Sequence, residues 1–257
     1  MSDRNPRRIK AVDRTLDILE TLRETDGSTV TAIADEVGLS PGTVHTYLST
    51  LHSRGYVDQD GSEYSLGMFI LPLGEYVRTH SPVYQAGKHA LDELAAETGE
   101  TSHLVVASRG KEVPLYERFG PDAVGERLYE RNKVTPKRNL HCSAAGKAIL
   151  AHLDDRHRAD VLDEYHLAER TDHTITDLST LQEELADIRG RGVAFNDEEQ
   201  VLGVRAVGAP VIGGDSVGAA VSLSAPVSRL RDERFRTEFP DHVRQAANIV
   251  QINLTTA

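Results

Sequence analysis

The clearest periodicity in the chain runs from Ser40 to Gly55, SPGTVHTYLSTLHSRG, where Val44, Tyr47, Leu48 and Leu51 recur at helical spacing and form one apolar stripe. Ser40 suits the N-cap because its hydroxyl can accept from an amide of the first turn. Pro41 suits the first helical position, where it has no N–H to lose, and Gly55 suits the left-handed residue that ends a helix. The opposite face is small, polar and uncharged: Gly42, Thr46, Ser49 and Ser53, flanked by Thr43, His45 and Thr50. Upstream, Val12, Leu16, Leu19 and Leu22 set the stripe of a first helix closed by Asp26-Gly27. Ile33 and Val37 mark a second over Thr31 to Val37, and Gly38 turns the chain. After Gly55 the pattern becomes that of strands, Tyr56 to Gln59 and Glu63 to Leu66 around Asp60-Gly61, a hairpin signal. Three helices and a hairpin predict a winged helix-turn-helix over residues 1–66.

The apolar run Met68 to Leu73 contains Pro72, which disfavours an uninterrupted helix from Gly67. A turn followed by a helix from about Leu71 to Thr79 is therefore predicted, and residues 67–80 form the linker. Ser81-Pro82 opens the next helix, with Val83, Ala86, Ala90, Leu91 and Leu94 inward and Gly99 at its end. Strands are predicted at Thr101 to Ser108, Glu112 to Phe119, Val193 to Asn196, Ala206 to Ile212 and Val217 to Ser224. Arg109-Gly110 and Gly213 to Ser216 are the turns between neighbours. Helices intervene at Ala144 to Leu153, Arg156 to Tyr165 and Leu178 to Gly190, and Asp241 to Leu254 closes the chain. Hairpins mixed with helices predict an α+β domain over residues 81–257, an antiparallel sheet with helices against it.

Composition narrows the partners. The chain of 257 residues carries 40 acidic and 29 basic side chains, only 6 of them lysine, a balance expected of a protein working in concentrated salt. Residues 1–80 hold 8 basic and 12 acidic groups, which opposes DNA binding. Yet Val37 to Val57 contains no acid where about three are expected, and long-range repulsion fades in salt as the Debye length shrinks to about 3 Å at 1 M. The charged start MSDRNPRRIK is no secretion signal, and Val207 to Val227 is too interrupted to span a membrane, so a cytoplasmic location is expected.

For DNA, phosphate contacts position and base-edge contacts specify. Candidates for the first are Arg7, Arg8, Lys10 and Arg14 of the N-terminal arm, Arg54, and the amides that follow Ser40 and Gly42. Candidates for the second are Thr43, His45, Thr46, Ser49 and Thr50. None offers a bidentate guanidinium to guanine, so hydroxyls, water and DNA shape are expected to matter.

The C-terminal region offers little catalytic machinery. The Gly-Lys pair of SAAGKA fails the phosphate-loop pattern, because position 141 is histidine and position 148 alanine. Cys142, the single cysteine, and His141 could suggest a thiol nucleophile, a redox switch or a metal, but a buried thiol and a satisfied imidazole are the simpler reading. Asp197-Glu198-Glu199 reads as a solvated acidic turn, and neither a metal nor a cofactor is expected. The helix start after Ser143 leaves the amides of Ala144, Ala145 and Gly146 open, which favours an anion such as a carboxylate ligand.

Taken together, AVDRTLDILETL, IADEVGLSPGTVHTYLSTLHSRGYV, YSLGMFILPLG, HCSAAGKAILA, GVAFNDEEQVLGVRAVGAPV and VSLSAPVSRL make the chain resemble the IclR family of transcriptional regulators over nearly all its length. The resemblance implies a linker helix and an effector-binding domain of GAF or profilin-like α+β fold. It implies dimers, also paired as dimers of dimers, that bind palindromic promoter DNA of a catabolic operon and respond to small organic or sugar-derived acids. The implied ligand positions are Ala144, Ala145, Asn196, Ala206, Ser222 and Ser224. Asn196 stands where Asp is usual, Ala206 where some members have cysteine, and Thr46 where arginine is usual; the loss of an acid at position 196 suits a more anionic effector. Rival readings are an enzyme, or a metal or redox sensor, carrying a winged helix.

Overall fold

The computed structural model describes residues 8–124, 139–164, 167–213 and 216–256. The chain divides into two compact units, residues 1–77 and 78–257.

The first unit begins with α1 (Lys10–Glu24), β1 (Ser28–Thr29), α2 (Val30–Val37) and α3 (Pro41–Ser53). It continues with β2 (Val57–Asp60), β3 (Glu63–Leu66) and α4 (Ile70–Thr79). Capping sets the bounds of α2 and α3: Thr29 accepts from the Ala32 amide and Ser40 from the Thr43 amide, while Gly38 and Gly55 adopt left-handed φ of 64° and 75°. Val44, Leu48 and Leu51 of α3 pack with Ile18, Leu22, Ile33, Val57 and Tyr64.

Three details depart from expectation. In α1 the buried face is Ile18, Thr21 and Leu22, and Val12 and Leu16 are each 53% exposed. Of the predicted stripe, Leu22 is buried and Leu19 packs against the core, while Val12 and Leu16 face outward and Ile18 takes the core position instead. β1 is an unpredicted strand that pairs with β3 to give the order β1-β3-β2. Asp60 pairs with Glu63, so the two-residue turn is Gly61-Ser62, one residue later than predicted, with Gly61 at φ 60°. α4 accommodates Pro72 in its first turn, where a missing N–H costs nothing.

The second unit contains α5 (Pro82–Thr98), β4 (Thr101–Ser108), β5 (Lys111–Arg118), a 3-10 turn (Leu140–Cys142), α6 (Ala144–His152) and α7 (Asp155–Glu164). It continues with α8 (Leu178–Arg191), β6 (Ala194–Asp197), β7 (Val204–Gly213), β8 (Ser216–Pro226) and α9 (Phe239–Thr256). The five strands form an antiparallel sheet in the order β5-β4-β8-β7-β6. Side-chain alternation serves two layers. Leu104, Val207, Val221 and Leu223 face a core with Leu91, Phe239, Val243 and Val250 of α5 and α9. Val105 and Ala220 join a second core with Ile149, Leu150, Leu185 and Ile188 of α6 and α8. No helix of the described residues is long and apolar enough to cross a membrane. Tyr165, Gly214 and Asp215, included in predicted elements, lie outside the described residues.

Candidate functional site

Two surfaces carry the candidate chemistry. In the first unit α3 turns Gly42, His45, Thr46, Ser49 and Thr50 to solvent, with Ser40 exposed and Thr43 half-buried. Several hydroxyl protons are already committed: Thr46 Oγ1 donates to the Gly42 carbonyl and Thr50 Oγ1 to that of Thr46, both at 3.0 Å. These two threonines therefore offer a ligand lone pairs and methyl groups, which match base amino groups and the thymine methyl. Arg8, Lys10, Arg14 and Arg54 are exposed; Arg8 lies 3.5 Å from Asp13, a pair too solvated to hold it. Arg7 lies outside the described residues. The hairpin tip is acidic, with Asp58, Asp60 and Glu63 exposed.

In the second unit a cavity of about 50 Å³ opens between the start of α6 and the sheet, with room for a ligand of a few heavy atoms. Ser143, Ala144, Ala145, Asn196, Ala206, Ser222 and Ser224 all line it. The sheet register brings them together: Asn196 pairs with Ala206 and Ala206 with Ser224, while Gly208 pairs with Ser222 and Ser222 with His103. Gly146 is not in the lining. Ser143 caps α6, its Oγ accepting from the Gly146 amide at 2.8 Å, so this amide is used inside the helix rather than open. Only the Ala144 and Ala145 amides of that trio remain for an anion. Ser143 Oγ in turn donates to Glu112 Oε2.

Asn196 is fixed from both ends. Its Nδ2 donates to the Cys142 carbonyl at 2.8 Å and its Oδ1 accepts from the Glu199 amide at 3.0 Å. An aspartate could not make the first bond, which accounts physically for the amide at this position. The wall still holds two carboxyl groups, Glu112 and Glu117, and among the described lining residues there is no lysine or arginine. Sequence reasoning missed His103, Glu112, Glu117, Gln200, Val201 and Val204, all of which join the lining. A polar His103 inside the apolar strand TSHLVV was the available signal.

The other singled-out groups are structural. Cys142 is buried, its thiol donates to the Asn139 carbonyl at 3.5 Å, and burial pushes its pKa up to about 12. His141 Nε2 donates to the Ala168 carbonyl at 3.1 Å, and burial pulls its pKa down. Lys147 is 1% exposed and donates to Glu199 Oε1 at 2.6 Å, so it faces no phosphate. The run Asp197-Glu198-Glu199 is not a solvated turn. Asp197 pairs with Arg205, Glu198 accepts from the Gly203 amide, and Glu199 is buried against Lys147, its pKa raised by burial. Among the described residues no three acids, histidines or cysteines come together as a metal site.

Comparison with known proteins agrees along the whole chain. The profile described as IclR helix-turn-helix domain matches residues 11–61, and that described as Bacterial transcriptional regulator IclR C-terminal matches residues 76–252. The chain is 39% identical to the "Probable HTH-type transcriptional regulator ArcR" of Halobacterium salinarum, over 98% of this chain and 96% of that one. In structure it resembles the IclR transcriptional regulator of Alicyclobacillus acidocaldarius, with a TM-score of 0.81 at 25% identity, covering 96% of this chain and 100% of that one. It shares its fold with an IclR homologue from Microbacterium hydrocarbonoxydans complexed with 4-hydroxybenzoate, with a TM-score of 0.77 at 20% identity, covering 96% and 99%.

Proposed function

The chain belongs to the IclR family of transcriptional regulators, and we propose that it controls a catabolic operon by binding a small organic or sugar-derived acid in the α6 cavity. It is a DNA-binding regulator and not an enzyme. The reading is carried by one conjunction: a capped, acid-free helix whose outer face is hydroxyls and histidine, on the same chain as a cavity closed by the free amides of a helix start. Residues 1–66 are the DNA-binding domain, 67–80 the linker and 81–257 the effector-binding domain. Arg7, Arg8, Lys10, Arg14 and Arg54 bind phosphates, and Thr43, His45, Thr46, Ser49 and Thr50 meet base edges. Ala144, Ala145, Asn196, Ala206, Ser222 and Ser224 surround the acid.

The exposed apolar side chains of the first unit support a homodimer on a palindromic site. Val12 and Leu16 on α1, and Leu71, Leu73, Tyr76 and Val77 on α4, are each more than half exposed, an uneconomical surface for a monomer. Tetramers would be pairs of such dimers. The lysine-poor acidic composition and the halobacterial relative support work in high salt inside the cell. Footprinting in about molar KCl, where charge repulsion is screened, tests the reading. A protected palindrome in the promoter beside the gene, altered by small acids, is expected; no protection with or without them would sink it.

A further inference from the structure

The cavity contains a hydrogen-bond relay joining three strands. His103 of β4 is buried, its Nδ1 lying 2.9 Å from Glu117 Oε1 on β5 and its Nε2 2.8 Å from Ser224 Oγ on β8. The side chains of His103 and Glu117 are 9% and 2% exposed, and all three residues line the cavity.

The direction of each bond follows from what the atoms can do. When Glu117 is ionised its Oε1 only accepts, so Nδ1 holds a proton and donates it to Glu117. In a neutral imidazole Nε2 then carries a lone pair, and Ser224 is the donor, O–H to Nε2. The one hydroxyl proton of Ser224 is thus turned toward His103, and the serine offers the cavity lone pairs.

We propose that the Glu117–His103 pair fixes Ser224 as a hydrogen-bond acceptor and thereby selects hydroxy acids over the corresponding plain acids. The ligand carboxylate meets the Ala144 and Ala145 amides, and its hydroxyl donates to Ser224. This inference rests on the reading of the cavity as an acid site. His103 and Glu117 are positioning residues that act through Ser224. The order of atoms is that of a hydrolytic triad, but in this regulator the relay sets the direction of a proton and activates no nucleophile.

Calorimetry on the full chain with matched pairs, glycolate and acetate, lactate and propionate, malate and succinate, reads this directly. The hydroxylated member of a binding pair is expected to bind about tenfold tighter. Glu117→Gln, whose amide can donate to Nδ1 and so turn the imidazole proton onto Nε2, should bring the ratio toward one, and Ser224→Ala should remove the preference as well. Equal binding of both members, or a preference unmoved by Glu117→Gln, would overturn this inference alone. If no member of any pair binds, the acid-site reading falls and this inference with it.

Discussion

Gly208 of β7 lies directly beneath Ala144, the first residue of α6: a Cβ on Gly208 would come within 2.6 Å of the Ala144 carbonyl carbon and 2.8 Å of the Ala145 amide nitrogen. The sheet carries the helix start at van der Waals distance because this residue has no side chain. Gly208→Ala should cost about 1–3 kcal/mol by overpacking and displace the two amides that face the cavity. Thermal melts and acid titrations check this; a variant with unchanged Tm and unchanged acid binding would show that α6 is not seated as described.

Cys142 should be inert in the folded protein. With its thiol pushed up to about 12 by burial, it has almost no thiolate near neutrality. Alkylation at about pH 8 should leave the native protein unmodified and label one thiol in denaturant. Rapid labelling of the native protein would contradict the buried placement and reopen a redox role.

His141 gives stability a pH dependence of definite sign. Burial lowers its pKa in the folded state, so below the unfolded value of about 6.5 the unfolded chain takes up the proton first. Its contribution is complete above that value and is lost as pH falls through it toward the depressed folded value, by at most about 1.4 kcal/mol per pH unit. His141→Gln can keep a donor to Ala168 and should show a shallower acid loss in melts at fixed KCl. Parallel curves for both proteins would place the titration elsewhere.

On the DNA side, Arg8 and Thr46 should behave differently. Arg8→Ala removes a phosphate contact and should weaken binding to all sites alike, reducing the salt slope by about one. Thr46 exposes its methyl and lone pairs, and Thr46→Ala should change the ranking of sites by about 1 kcal/mol. Binding measured against a small operator library separates the two, and the reverse pattern would mean the roles are exchanged.

What was legible in the sequence is what local chemistry decides. Ser40, Pro41 and Gly55 fixed α3, and Ser143 with its small neighbours marked the start of α6, because caps and breakers act over a few residues. Of the α1 stripe, Leu19 and Leu22 meet the core but Val12 and Leu16 do not, because period alone does not say which apolar residues of a helix are covered. Glu117 and His103 escaped notice because strand pairing brings them to the cavity, His103 meeting Ser224 across 121 positions of sequence. The amide of Asn196 likewise acquires its meaning only through Cys142, 54 positions away.

The central claim is that acid binding at α6 governs DNA binding at α3. Fluorescence anisotropy of labelled operator in about molar KCl, titrated with the full chain with and without a bound acid, measures it most directly. We expect the acid to shift operator affinity by about five- to 150-fold, and Ser222→Ala with Ser224→Ala to abolish that shift while leaving acid-free affinity intact. An operator affinity unchanged by an acid shown to bind would contradict the account.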